Sequence, residues 1–455
     1  MNRRTALLLG AAAVMAVALG AVGTAPGRGR VAAAGDTTIT SRSIAYFESR
    51  LARDPGNYMV AGRLVNRYIL RFGTGARMED IARAEALARE LARTQDKAPA
   101  LARLSNVLLM QHKFSEAAAT ARDAVTADSL NQDALGALAD ALLASGRYAE
   151  GEAALRRMRP GGLPAAVRRA QWLDASGHSA GAYAAMDRVC RQFVRSVSRP
   201  QVVAWCLTQL AVSAHAAQGP EAAEALFRRA DAAMPGYRGA LEGLGALEYG
   251  KGHWRKAEKL YGRILSDAHP DLYLRMAEIA HRLGREEPRR AWESRFLRVA
   301  GRPENEALEG PWLALYFVER GDAAGRDTAL AIATREVARR PTVESWDLLS
   351  WVAFRLGKLD LALQAARRAA SWGVPSPTMK FHRAMILESL GQTAQAAQLR
   401  RDAMRDRSLL APHVQALLDS GGHISNCFRR SQAVCTPRPQ GVERRTLRAF
   451  DRFPR

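Results

Sequence analysis

The sequence predicts an all-α solenoid, a stack of antiparallel helix pairs with no β-sheet. Three observations carry this. A phrase of 34 residues recurs along the chain. Small residues and turn glycines return at the same offsets within each copy. Hydrophobic residues make up 48% of the chain and aromatic ones only 7%, a composition suited to close helix contacts and against wholesale disorder. The clearest copies are 98–131 and 238–271. In the first, Leu101, Leu104, Ser105, Leu108, Phe114, Ala117, Ala124 and Asp128 fall at the offsets that Leu241, Leu244, Gly245, Glu248, Trp254, Ala257, Ile264 and Ala268 occupy in the second. A helix pair of this length cannot bury its own apolar face, so copies must stack on one another.

The elements follow in chain order. Residues 1–25 read as an export signal: Arg3 and Arg4 precede an uncharged apolar run at 6–22, and small residues at 21, 23 and 32–34 offer cleavage sites. The same run also suits an uncleaved anchor, and either way the basic flank stays inside while the rest of the chain is exported, to the periplasm or beyond. Residues 26–40, rich in Gly, Ala and Thr, read as a flexible spacer. The solenoid is expected over 41–420. It opens on a lone second helix near 44–57, where Tyr46, Phe47 and Leu51 keep helical spacing and Asp54-Pro55-Gly56-Asn57 ends it. Copies follow at 58–96, 98–131, 132–162, 163–195, about 204–237, 238–271, 344–372 and 378–408, with degenerate ones at 271–302 and 303–343. Beyond 420 the pattern ends, and the Arg/Pro-rich 421–455 reads as a disordered basic tail.

Each slot has a physical reason. Gly245, Ala139, Ala170, Ser350 and Ala384 sit in the middle of first helices, where a small residue admits the partner helix. Ala117, Ala223, Ala257, Ala362 and Ala396 do the same on second helices. Turn glycines supply a positive φ that other residues resist.

As a set, these slots resemble the tetratricopeptide repeat family over roughly residues 44 to 410. Gly151, Arg289 and His112 depart from the pattern at single slots. The resemblance implies a right-handed superhelix whose first helices line a concave groove and whose second helices form the convex back. It also implies a non-catalytic scaffold that binds a protein or peptide in the groove. Projected onto this chain, the candidate groove residues are Asn106, Asp140, Gln171, Asp174, Glu242, Tyr249, Glu278, Asp347, Trp351, Phe354, Arg355, Phe381 and Glu388. Trp351, Phe354, Arg355 and Phe381 make the strongest anchor set, because aromatics and Arg dominate interfaces; ordinary packing between repeats is the competing reading.

The chain carries a net charge of +22, nearly all of its basic residues being Arg. Doublets at 156–157, 228–229, 367–368 and 400–401 recur on second helices, which suggests a basic back and a mixed-to-acidic groove. The back could rest on an anionic envelope surface, or the doublets could simply be a solvated face. No nucleic-acid module accompanies the charge, and nothing in the sequence calls for a cofactor or metal.

One motif points to catalysis. Gly177-His178-Ser179-Ala180-Gly181 matches the nucleophile elbow of serine hydrolases, with Ser179 as nucleophile. That elbow needs a strand before it, and here a helical pattern precedes it while Gly177 fills the repeat's own turn slot. The four cysteines suit an exported protein. A bridge between Cys427 and Cys435 in the tail is the favoured pairing; Cys190 and Cys206, on successive helices, are the other pair able to staple the structure.

Overall fold

The computed structural model describes residues 34–419 apart from 76–77, 95–96, 197–199, 268, 303–304, 374–375 and 406–409. These residues form twenty-two helices and no strand. Helix α1 (Ala34–Arg53) comes first. The pairs are α2 (Tyr58–Gly75) with α3 (Met78–Thr94), α4 (Lys97–Met110) with α5 (Phe114–Ala127), and α6 (Gln132–Ala144) with α7 (Tyr148–Arg157). Then come α8 (Leu163–Ala175) with α9 (Ser179–Ser196), α10 (Pro200–Gln218) with α11 (Pro220–Ala233), and α12 (Arg238–Gly250) with α13 (Trp254–Gly262). The last four are α14 (Asp271–Arg282) with α15 (Glu286–Ala300), α16 (Glu306–Arg320) with α17 (Ala323–Arg339), α18 (Val343–Arg355) with α19 (Leu359–Ala370), and α20 (Pro377–Ser389) with α21 (Thr393–Arg405). One compact unit runs to Ala411; a second begins at Pro412 with α22 (Pro412–Asp419). The two stretches read as degenerate repeats are complete helix pairs.

The start differs from the sequence reading. Helix α1 begins at Ala34, inside the stretch expected to be a flexible spacer. Its composition is poor for a helix, but docking overrides propensity. Ile44 is buried, Tyr68 of α2 donates to Glu48 at 2.6 Å, and Arg71 of α2 reaches Ser41. The signal and the basic tail lie outside the described residues.

Local chemistry sets the helix ends. Asn131, Asp322, Thr342 and Ser376 each cap a helix by accepting backbone N–H bonds from the first turn. Close approach needs missing side chains. A Cβ on Gly243 would stand 2.3 Å from the Phe227 ring, and one on Gly245 would stand 2.7 Å from Tyr261. Gly151 has the same role against Leu143, at 2.6 Å, so this departure from the pattern is itself a packing device.

The contacts also define curvature. First helices of neighbouring pairs touch directly, as α4 touches α6, α10 touches α12 and α16 touches α18, whereas among the described residues second helices make no comparable contact with each other. Helices on the inside of a bent stack lie closest together, so the first helices form the concave layer.

The stack winds far enough to meet itself. The backbone N–H of Val343 donates to the Tyr148 hydroxyl at 3.0 Å, and the His112 ring donates from Nδ1 to the Ala307 carbonyl at 2.9 Å; both pairs are 195 residues apart. One superhelical turn therefore spans about 195 residues. Val343 belongs to the same apolar cluster as residues between Ile44 and Ala165. A Cβ on Gly146, whose φ is +76°, would stand 2.5 Å from the Pro341 carbonyl oxygen. Tyr148 also packs edge-on against Trp372, ring centroids 4.8 Å apart, and burial pushes its phenol above the ordinary range.

His112 occupies the left-handed turn position that glycine fills in most other repeats, with φ of 58°. Its contact to Ala307 across the turn compensates for this strain. Burial, then the charges of Arg340 and Arg339, push its imidazole down to about 3. Both arginines are paired with Glu336. The neutral ring is thus the folded form. The unfolded histidine titrates near 6.5, so below that pH the unfolded chain takes up a proton that the folded chain refuses. Stability is full above about pH 6.5 and falls as the pH drops toward 3. Denaturant melts should show a loss of about 1 kcal/mol between pH 6.5 and 5.5 that His112→Asn removes; Asn tolerates the turn geometry.

Cys190 of α9 and Cys206 of α10 form a disulfide, Cα atoms 5.5 Å apart, tying one helix pair to the next. The pairing favoured from sequence, Cys427 with Cys435, lies outside the described residues. Helix stacking brings Cys190 and Cys206 together across 16 residues, a proximity that tail spacing could not reveal. Replacing both with Ala should cost about 3 kcal/mol of stability in thermal melts, and peptide mapping without reductant should recover the linked fragment.

Candidate partner-binding face

The concave layer carries the thirteen candidate residues, and most are buried. Asn106, Asp140, Gln171, Asp174, Glu242, Tyr249, Asp347, Trp351, Phe354 and Phe381 are each below one-tenth exposed; Glu278, Arg355 and Glu388 are half-buried. The expected acidic groove is therefore not a row of free carboxylates.

Asp140, Glu242, Glu278, Asp347, Arg355 and Glu388 are tied into bonds, most of them between neighbouring first helices. Asp140 on α6 receives Arg168 from α8 in a forked pair, at 3.0 Å from Nε to both oxygens and 2.8 Å from the terminal nitrogen. Both side chains are about 5% exposed or less. Gly136, one turn before Asp140, makes the space: a Cβ there would sit 2.8 Å from the guanidinium carbon. Burial pushes the Asp140 carboxyl above its ordinary range, against the pull of Arg168. Glu278 of α14 bonds Arg282 at 3.0 Å and Arg320 of α16 at 3.1 Å. Glu242 meets Arg238 at 3.3 Å, and Glu388 pairs with Arg400 of α21.

The aromatic set is one connected staple. Glu319 of α16 accepts from Trp351 Nε1 at 2.9 Å and pairs with Arg355, both on α18. Trp351 lies against Phe354, with centroids 5.4 Å apart, and stacks on His382 of α20 at 4.2 Å. His382 Nδ1 is 3.0 Å from Asp347 Oδ1. Trp351 thus packs repeat against repeat, and Phe354 and Phe381 are buried beside it in the layer. Arg168, Glu319 and His382 were missed by sequence reasoning. Their signal was available as complementary groups spaced 28 to 36 residues apart, close to one repeat.

On the convex side, the Arg doublets are exposed except Arg400, which is half-buried. Several of their members are neutralised locally: Arg156 by Glu152, Arg228 by Glu224 and Arg400 by Glu388. Ser179 is the first residue of α9, after a turn in which Gly177 has φ of +87° and α8 precedes. His178 Nδ1 lies 3.1 Å from Ser176 Oγ. The strand that a nucleophile elbow requires is not there. Among the described residues no three metal-ligating side chains cluster, and no helix is long and apolar enough to cross a membrane.

No protein-family model and no curated protein matches the chain. Solved structures do. PilW, described as a widely conserved type IV pilus biogenesis factor, is 16% identical over 46% of this chain and 97% of its own, with a TM-score of 0.37. The human IFIT1 dimer is 15% identical over 68% and 71%, at 0.43. The Cut9–Hcn1 hetero-tetramer is 12% identical over 87% and 89%, at 0.37. These neighbours contain tetratricopeptide repeats, and the likeness concerns the helix-pair fold alone.

Removing one member of a buried ion pair leaves the other uncompensated. Arg168→Met should cost about 3–5 kcal/mol in urea titrations, and adding Asp140→Leu should recover most of it.

Proposed function

We propose that the chain is an exported, non-catalytic scaffold that holds a protein or peptide partner along the concave layer of its first helices. The observation that carries this reading is the concave layer itself, formed where first helices of neighbouring pairs contact one another along much of the stack. A long inner face built from many rigid helices is a binding surface, and chemistry is not required of it. The Cys190–Cys206 bridge supports an oxidising compartment, since such bonds are rare in the cytosol. The apolar run at 6–22 supports export.

A second reading, polyanion binding at an envelope surface, draws on the net charge of +22 and on the exposed Arg229, Arg367 and Arg368. It predicts steep loss of retention with salt.

Both are tested by tagging the full chain in its source. The scaffold reading expects the chain in the envelope fraction, oxidised at 190 and 206, retrieving the same small set of proteins at low and high salt. Recovery in the cytoplasm with free thiols, or retention of anionic polymer alone, would refute it.

A further inference from the structure

We propose that the convex back holds a linear acidic polysaccharide, wound along a row of exposed arginines that circles the superhelix. The proposal leaves the concave layer as it stands. It rests on the polyanion reading above and specifies its ligand.

The tenth residue, counted from the first residue of each second helix, is Arg157 in α7, Arg188 in α9, Arg229 in α11, Arg263 in α13, Arg295 in α15 and Arg368 in α19. In α17 the count falls on buried Ile332, and exposed Arg335 follows three residues on. The row ends on acidic residues, Asp123 in α5 and Asp402 in α21. All six arginines are exposed. Arg295 pairs with Asp267 at 3.2 Å. The other five have no carboxylate partner among the described residues; Arg157 donates to the Ser129 carbonyl at 3.3 Å and Arg188 to that of Ala184 at 3.5 Å.

The sequence explains the missing partners. Residues four apart share a helix face, so a Glu one turn before an Arg neutralises it. This chain does so for Arg83, Arg156, Arg228 and Arg290. One turn before the row stand Ala153, Ala184, Ala225, Lys259, Ala291 and Gln364, all exposed and none acidic. A solvated helix face usually mixes both signs of charge. This register carries one sign, and an anion completes it.

The course of the row selects the anion. Its two ends meet across the superhelical turn, where Tyr148, the first residue of α7, packs on Trp372 just beyond α19. A flat membrane touches only the sector that faces it, whereas a flexible chain follows the whole row. Duplex DNA, with a persistence length of about 50 nm, resists such winding. Between residues 148 and 370 no large hydrophobic side chain is exposed among the described residues. Stacked bases and protein interfaces are anchored by such side chains, so single-stranded nucleic acid and peptides lack their anchors here. An acidic polysaccharide needs only charge, and its carboxylates match the fork of the guanidinium.

The test uses the purified full chain and labelled polygalacturonate, a linear polymer with a carboxylate on every sugar, read by fluorescence anisotropy. Binding should fall steeply as salt rises. Arg229→Gln, Arg263→Gln and Arg368→Gln together should weaken it about thirtyfold. Arg42→Gln, Arg63→Gln and Arg93→Gln change the net charge equally on α1 to α3, and should cost less than about threefold. All six positions are exposed, so both variants should melt like the wild type. A footprint checks the path: polygalacturonate should shield the row from phenylglyoxal from α7 through α19, read by mass spectrometry, while phosphatidylglycerol vesicles shield one sector. The proposal is overturned if both triple variants lose binding equally, or if the polysaccharide shields one sector only. It is also overturned if polyglutamate, single-stranded DNA or the vesicles bind more tightly than the polysaccharide at equal charge. In that case the polyanion reading stands without the row's ligand; binding of none of the four removes both.

Discussion

The structure depends on one constraint: a pair of short helices has more apolar surface than it can cover by itself. Each pair is finished only by the next, and everything else follows from making that cover close. The contact slots show how strict the fit is. Ala117, Ala223, Ala257 and Ala362 are completely buried, and the glycines at 243 and 245 lie within ring contact of Phe227 and Tyr261. Close-packed interiors do not forgive an added methyl at such points, so small residues are the part of the repeat that must recur while larger ones vary.

Stacking alone would leave an open coil. This chain winds tightly enough for successive turns to touch, and the touching residues are the turns between helices, where backbone is exposed. Gly146 brings the chain against Pro341, Tyr148 accepts from the Val343 amide, and His112 bonds the Ala307 carbonyl. These contacts satisfy backbone groups at helix ends that would otherwise face water. They also hold the curvature of the concave layer, because a change in pitch would break all three.

The concave layer divides its polar groups into two kinds. Charged groups bridge neighbouring repeats, as in Asp140–Arg168, Asp347–His382 and Glu319 with Trp351 and Arg355. Such pairs contribute register more than stability, because burying charge offsets much of the attraction. Uncharged Asn106 and Gln171 are buried in the same layer, outside these pairs.

The sequence by itself determined the helix pairs, the order of the repeats, the turn glycines and the small contact slots. These are local: a helix pair needs its 3.6-residue period and its stop signals, and both are written within 34 residues. It also marked which faces are first-helix faces. It did not determine what the polar residues on that face do, because burial and pairing involve side chains a whole repeat away. Asp140 looked like a groove acid until Arg168 closed on it, and Trp351 looked like a surface anchor until it packed between Glu319 and His382. The proximity of Cys190 and Cys206 was likewise a product of helix stacking. Only the tertiary structure decided where the superhelix meets itself, since a separation of 195 residues depends on small bends added over nearly six repeats, and no single repeat records that sum.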